Sequence, residues 1–340
     1  MRTILVLLLT SALAACAAGG AGPATAAPRK KPAPQPASVV RNPAPLALGE
    51  HNVDRVKKVW EAAAGGYGRA VALSRSLGRV AFANKEGVEL FELASGKSAG
   101  RVQRCRDVVR GGLAFHGTDL IIVCEKSVVR VNAHRRTDSP DLAVNAAPVT
   151  AATFVGSRMA LGHRDGVIRV YALDGGATTE VRVPGPPIDV KSLSLTRDGS
   201  RLAVAWVQGS IWWWDLAKPD AFHDLVRHEQ ESDALAFSGD GALLAEEGAP
   251  NAITLWQLGA APSAKAKVKH GSWVKRILFT SDGKWLVRAG SAGLELAEIG
   301  GPKRVALDTR DPVEDAAFDE NSAALGAVDR QGRLTVWVVR

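Results

Sequence analysis

Cysteine is scarce, with three in 340 residues, which excludes the small scaffolds in which disulfides stand in for a core. Long apolar runs are nearly absent: only Ile4–Ala18 qualifies, and mean hydropathy is near zero, so a polytopic membrane protein is excluded. No Cys pair frames a zinc site. What is present is the composition of a soluble globular chain, 46% hydrophobic and 23% charged, with length for one large or two ordinary domains.

The formal charge is +8, and its position matters more than its size. Arg2, Arg29, Lys30, Lys31 and Arg41 face Glu50 alone in the first 50 residues, a net +4, which leaves +4 spread in mixed-sign patches over the other 290. A domain that weakly basic implies no nucleic-acid partner.

The N-terminus has the order of an export signal: Arg2, an apolar stretch from Ile4 to Leu9, then small residues. Leu13-Ala14-Ala15-Cys16 resembles the lipobox of bacterial lipoproteins. That resemblance implies cleavage after residue 15 and acylation of Cys16, with two or more chains giving durable attachment to a membrane. Ala17 and Ala18 lack the Asp that retains some lipoproteins at the inner membrane, which points to the outer one. From Ala17 to Glu50, seventeen of 34 residues are Ala or Pro, so residues 16–50 are expected to be a disordered, extended linker. Its Arg29-Lys30-Lys31 cluster is either a solvated patch or a contact for anionic lipid or cell-wall polymer.

Residues 51–340 are dominated by a recurring β-rich string: VELFEL from Val88, VRVNAH from Val129, IRVYAL from Ile168, IWWWDL from Ile211, ITLWQL from Ile253, LELAEI from Leu294 and LTVWVV from Leu334. The starts are about 41 residues apart, the period of a propeller repeat. Ahead of each string lies a strand ending in Phe or Leu, then a turn such as Ser238-Gly239-Asp240-Gly241 or Thr280-Ser281-Asp282-Gly283, where Gly supplies positive φ and Asp bonds its own backbone. The unit is a four-stranded antiparallel blade, and the count predicts an all-β, seven-bladed propeller.

Within the first strand of each unit the residues alternate in size. Val71/Leu73, Leu113/Phe115, Leu235/Phe237 and Ile277/Phe279 form the larger set; the smaller includes Ala70/Ala72, Gly112/Ala114 and Ala234/Ala236 and is expected to face a crowded central axis. Arg276, Leu278 and Asp315 depart from the small pattern. The last unit stops after its third strand, so residues 53–60 are expected to supply the fourth and join the chain ends, covering an otherwise unpaired edge.

Over its folded length the chain resembles the WD-repeat family of propellers. Trp214-Asp215 is the pair that names the family, Trp256-Gln257 and Trp337-Val338 are partial copies, and His228 and His270 keep the family's nine-residue spacing to Phe237 and Phe279. In the family's frame, Cys105 lies beside the position of the repeat His, and Cys124 near the hydroxyl that this His bonds. The resemblance implies either a Cys105–Cys124 disulfide in place of that hydrogen bond or two separate buried thiols.

Catalytic chemistry is hard to find. Gly96-Lys97-Ser98 lacks the Gly that a phosphate loop needs five residues earlier, where Phe91 stands. His116, His134, His163, His223 and His228 follow no metal-ligand spacing, so no metal or cofactor is expected. The position four before each strand-ending residue carries Arg69, Gly111, Thr150, Lys191, Asp233, Lys275 and Glu314, either a mixed-sign docking ring at the channel mouth or local salt bridges. Lys85-Glu86, His163-Arg164-Asp165, Glu246-Glu247 and Asp329-Arg330-Gln331 are expected in loops on the same rim. The reading is a monomeric, lipid-anchored, non-catalytic protein-interaction scaffold of the bacterial envelope, its partner unspecified. The alternative is a propeller enzyme or small-molecule sensor using the channel.

Overall fold

The computed structural model describes residues 46–49, 51–142, 147–182, 188–249, 251–259 and 261–339. The expected leader, Cys16 and nearly all of the linker lie outside these residues. Among the described residues the structure is all-β. Its one helical element is the 3-10 turn Val53–Arg55, and no helix is long and apolar enough to cross a membrane.

Strands assemble in fours, each antiparallel to the next, as the repeat predicts. The first four-stranded sheet runs Ala70–Ser74, Arg79–Asn84, Gly87–Glu92, Ser98–Val102. Later first strands are Val108–His116, Val149–Val155, Val190–Leu195, Leu235–Phe237, Val274–Phe279 and Val313–Phe318. A single parallel bridge, Ala151 to Arg110, links two of these units into one eight-stranded sheet. Each recurring sequence string is the third strand of its sheet, and the Asp-Gly tetrapeptides are the turns between first and second strands. At one of them Gly241 adopts φ +69°, while Asp240 Oδ1 accepts the Ala242 N–H at 3.0 Å and the Ser238 hydroxyl at 2.6 Å.

The fourth strand of the last sheet comes from the other end of the described chain. Val56–Ala63 pairs antiparallel with Arg333–Val339, from Val56 opposite Val339 to Ala63 opposite Arg333. It begins three residues later than the sequence predicts, because Asn52 accepts the Arg55 N–H and residues 53–55 turn before they extend. Trp60 of this strand reaches the first sheet: its Nε1 donates to the Leu93 carbonyl at 2.7 Å.

Packing adds to the expectation for the alternating residues. Ala72, Ala114, Ala236 and Leu278 of the small set line the space enclosed by the first strands, and the small set also packs against the following sheet. Ala70 and Ala72 pack with Val108 and Leu113 of the following sheet, Ala234 and Ala236 with Ile277 and Phe279, and Leu278 with Ala316 and Phe318. The larger set faces backward: Val71 and Leu73 pack with Val328 and Leu334, and Leu235 and Phe237 with Ala203 and Ala205. Where the pattern holds, large side chains of one sheet stand on small ones of the sheet before it, as Ile277 and Phe279 do on Ala234 and Ala236. A residue the size of Leu in the small set needs a small one opposite, as Leu278 has in Ala316. Burying both faces also explains why Ala70–Leu73 of the first strand are all apolar, not alternating with polar residues.

Cys105 and Cys124 are joined by a disulfide, with Cα atoms 6.0 Å apart and a sequence separation of 19. It ties the segment before the Val108–His116 strand to the end of the Asp119–Cys124 strand.

Two outcomes follow for stability. Deleting Val56–Ala63 exposes the edge of Arg333–Val339 and is expected to lower the Tm by roughly 10 °C or more and to cause aggregation, read by calorimetry and light scattering. Replacing both Cys105 and Cys124 by Ala is expected to cost about 3 kcal/mol on the loop-entropy argument, read by denaturant titration.

Candidate functional site

The first strands share an irregularity that aims side chains. In four of them the ladder slips at the second residue, leaving Thr150, Lys191, Lys275 and Glu314 as the extra residue of a β-bulge. A bulge re-aims its side chain and bends the strand. These are the positions that the sequence marks as a rim.

Three of the five charged rim residues come together. Asp233 is the hub, 6% exposed, with Arg110 Nη1 and Lys191 Nζ each 3.2 Å from Oδ1 and Lys275 Nζ hydrogen-bonded to Oδ2. Burial pushes its carboxyl up, but Arg110, Lys275 and Lys191 outweigh it and hold it below the usual carboxylate range. Lys191 also pairs with Glu231; burial lowers its pKa, and the two carboxylates raise it further than burial lowers it. Beside this cluster, Arg276 Nε lies 3.4 Å from Asp315 Oδ1, and Asp315 Oδ2 accepts the Val71 N–H at 3.0 Å. Desolvation raises the pKa of Asp315 against the pull of Arg276. Two of the three residues that depart from the small-residue pattern are thus partners.

Arg69 and Glu314 stay outside the cluster. Arg69 is exposed, and Glu314 accepts Arg330 Nε at 2.9 Å beside Tyr67, whose hydroxyl is raised in pKa first by burial and then by Glu314. Sequence reasoning missed Arg110, because the irregular ladder between Val108 and Leu113 moves the rim direction off the counted position, Gly111.

The family-type positions are structural. Trp214 and Trp337 are buried, and Asp215 Oδ1 caps the Ala217 N–H at 3.0 Å. Trp256 Nε1 donates to Glu246 Oε1 at 3.2 Å, while His228 Nε2 lies 3.0 Å from Oε2 of the same carboxylate. The His228–Glu246 bond raises the His228 pKa; His270 is buried, and desolvation lowers its pKa. Glu246 and Glu247 are not rim loops: both lie in the strand Leu243–Ala249, with exposures of 0% and 8%. Desolvation raises Glu247 to about 7, with Asp233 and Glu246 nearby adding to the shift.

Toward the opposite end of the first strands lies a cavity of about 850 Å³. Every sheet contributes to its wall from its first strand, including Leu73, Phe115, Phe154, Leu195, Phe237, Phe279 and Phe318, and Arg276 stands at its inner end. Behind Arg276, the side chains of Arg110, Lys191, Asp233 and Lys275 leave a void of only about 10 Å³. Among the described residues no group of three or more His, Cys, Asp or Glu is placed to hold a metal ion. No family model matches the chain, and no curated protein matches it at a significant level.

Glu247 generates a pH test. Its folded pKa of about 7 lies above its ordinary 4.5, so the folded state binds the extra proton, and stability falls as pH rises through that interval. Glu247→Gln removes this dependence. Melting curves are expected to show the variant gaining on the parent from about pH 5 to about pH 8, by up to ~3 kcal/mol.

Proposed function

We propose that residues 51–340 form a closed, seven-bladed, WD-repeat-like propeller that acts as a non-catalytic protein-interaction scaffold, lipid-anchored through Cys16 in the bacterial envelope. Contacts between successive first strands support the ring, including Val313–Phe318 against Ala70–Ser74, as does the strand shared by the two chain ends. The disulfide suits an oxidising, extracytoplasmic compartment. The anchor and the linker that lifts the domain from the membrane rest on the sequence of residues 1–50.

The observation that carries the docking role is the aromatic content of the strand-start rim. Trp273 is 60% exposed and precedes Lys275 by two residues; Tyr67 is 42% exposed beside Glu314 and Arg330. Trp, Tyr and Arg dominate binding energy at protein interfaces, and exposing two such rings costs solvation unless something covers them. Asp233, Lys191, Lys275, Glu314 and Arg330 on this rim are already paired with one another or with near neighbours, which gives a rigid, patterned surface.

Capture from envelope extracts with the purified domain, read by mass spectrometry, is expected to retain a partner with the parent and to lose it with a Trp273→Ala/Tyr67→Ala double variant of unchanged Tm. Identical capture by both, or stoichiometric metal or chromophore in the purified protein, would contradict the scaffold role. Labelled palmitate is expected on the full chain and to be absent from Cys16→Ser.

A further inference from the structure

The cavity lined by the first strands has a polarity that the scaffold role does not use. Its wall is a belt of strand-ending apolar residues, and four of them, Phe115, Phe154, Phe279 and Phe318, are only partly buried, so the wall presents aromatic surface to the cavity. At its inner end stands one cation. Arg276 is a quarter exposed, and its Nη1 lies 3.4 Å from where a Cβ on Gly111 would sit, so the side chain spans the floor from one sheet to another. Among the described residues its guanidinium makes no hydrogen bond; the contact it has is the 3.4 Å approach of Nε to Asp315.

The acids around the opening are otherwise engaged. Glu320 accepts the backbone N–H groups of Arg75 and Ser76; Asp319 pairs with Arg75 and accepts the N–H groups of Ala323 and Ala324; Asp240 closes its own turn. Just behind the floor, Arg110, Lys191 and Lys275 converge on Asp233. At the inner end four cations, Arg110, Lys191, Lys275 and Arg276, therefore stand against the carboxylates Asp233, Asp315 and Glu231, an excess of positive charge, and Arg276, the one of the four that lines the cavity, faces an apolar belt in a volume typical of small-ligand sites.

We infer that this cavity is a binding site for an amphipathic organic anion, its carboxylate held by Arg276 and its apolar body against the phenylalanine belt. A planar guanidinium with free Nη donors fits a carboxylate in a two-bonded fork. The site is independent of any protein docked on the rim, since it opens at the other end of the first strands.

The test uses the whole folded domain with decanoate and biphenyl-4-carboxylate, against decanol and biphenyl-4-methanol as neutral counterparts, by titration calorimetry. At least one carboxylate is expected to bind saturably with one site per chain, its alcohol roughly tenfold or more weaker, as loss of a charge-assisted contact requires. Arg276→Gln is expected to erase that preference while retaining the weaker apolar binding. Should Arg276→Gln fail to fold, Ala114→Asp, at a partly exposed wall position, serves in its place: it is expected to repel the carboxylates and spare the alcohols. No saturable binding of either carboxylate up to about 1 mM, equal binding of acid and alcohol, or a preference that survives the substitutions would overturn the inference.

Discussion

The structure depends on burying both faces of every sheet. A four-stranded sheet whose inner strand reads Ala-Val-Ala-Leu has no side that tolerates water, and at about 25 cal/mol per Å² its apolar area is a driving force only if a neighbour covers it. Each neighbour has the same need. A row of such sheets ends in two greasy faces unless the last meets the first, which is why the strand Val56–Ala63 on the last sheet and the packing of Val71 and Leu73 against Val328 and Leu334 matter more than any single contact. The interlock of large on small lets the sheets approach closely near their first strands.

That constraint also makes the rim and the cavity. First strands packed side by side leave little room between them, so functional groups are delivered by bulges at one end and by strand-ending Phe and Leu at the other. Lys191 and Lys275 are bulge residues, and both reach Asp233. Arg276 and Asp315, charged residues in the small-residue register, lie next to each other, Nε of the one 3.4 Å from Oδ1 of the other. The result is a space narrowed by charge at one end of the first strands and, toward the other, wider and walled by strand-ending Phe and Leu.

Much of this was legible in the sequence, for physical reasons. The third-strand strings stand out because those strands are buried and β-branched or aromatic, and Asp-Gly marks turns because few other pairs adopt the backbone. The rim positions could be counted back from the strand-ending Phe because the bulge recurs at one register. Where the register changes, counting fails: the irregular pairing between Val108 and Leu113 hid Arg110. Glu246 and Glu247 read as loop residues because two adjacent carboxylates rarely sit inside a sheet; here His228 and Trp256 satisfy the first, and a raised pKa accommodates the second. The alternation of small and large residues was visible, and so was the crowding around the first strands; that the large set stands on the sheet before it was not, since a single strand does not reveal its neighbour's face.

The central claim is that the sheets stabilise one another around a ring without ends. Native-state hydrogen exchange across the interface of the terminal units tests it most directly. In a closed ring the amides of Ala70–Ser74 and Val313–Phe318 open with the same free energy as those of Val190–Leu195 in the middle of the chain. Terminal sheets that exchange far faster than the central ones, as the fraying ends of an open array do, would contradict it.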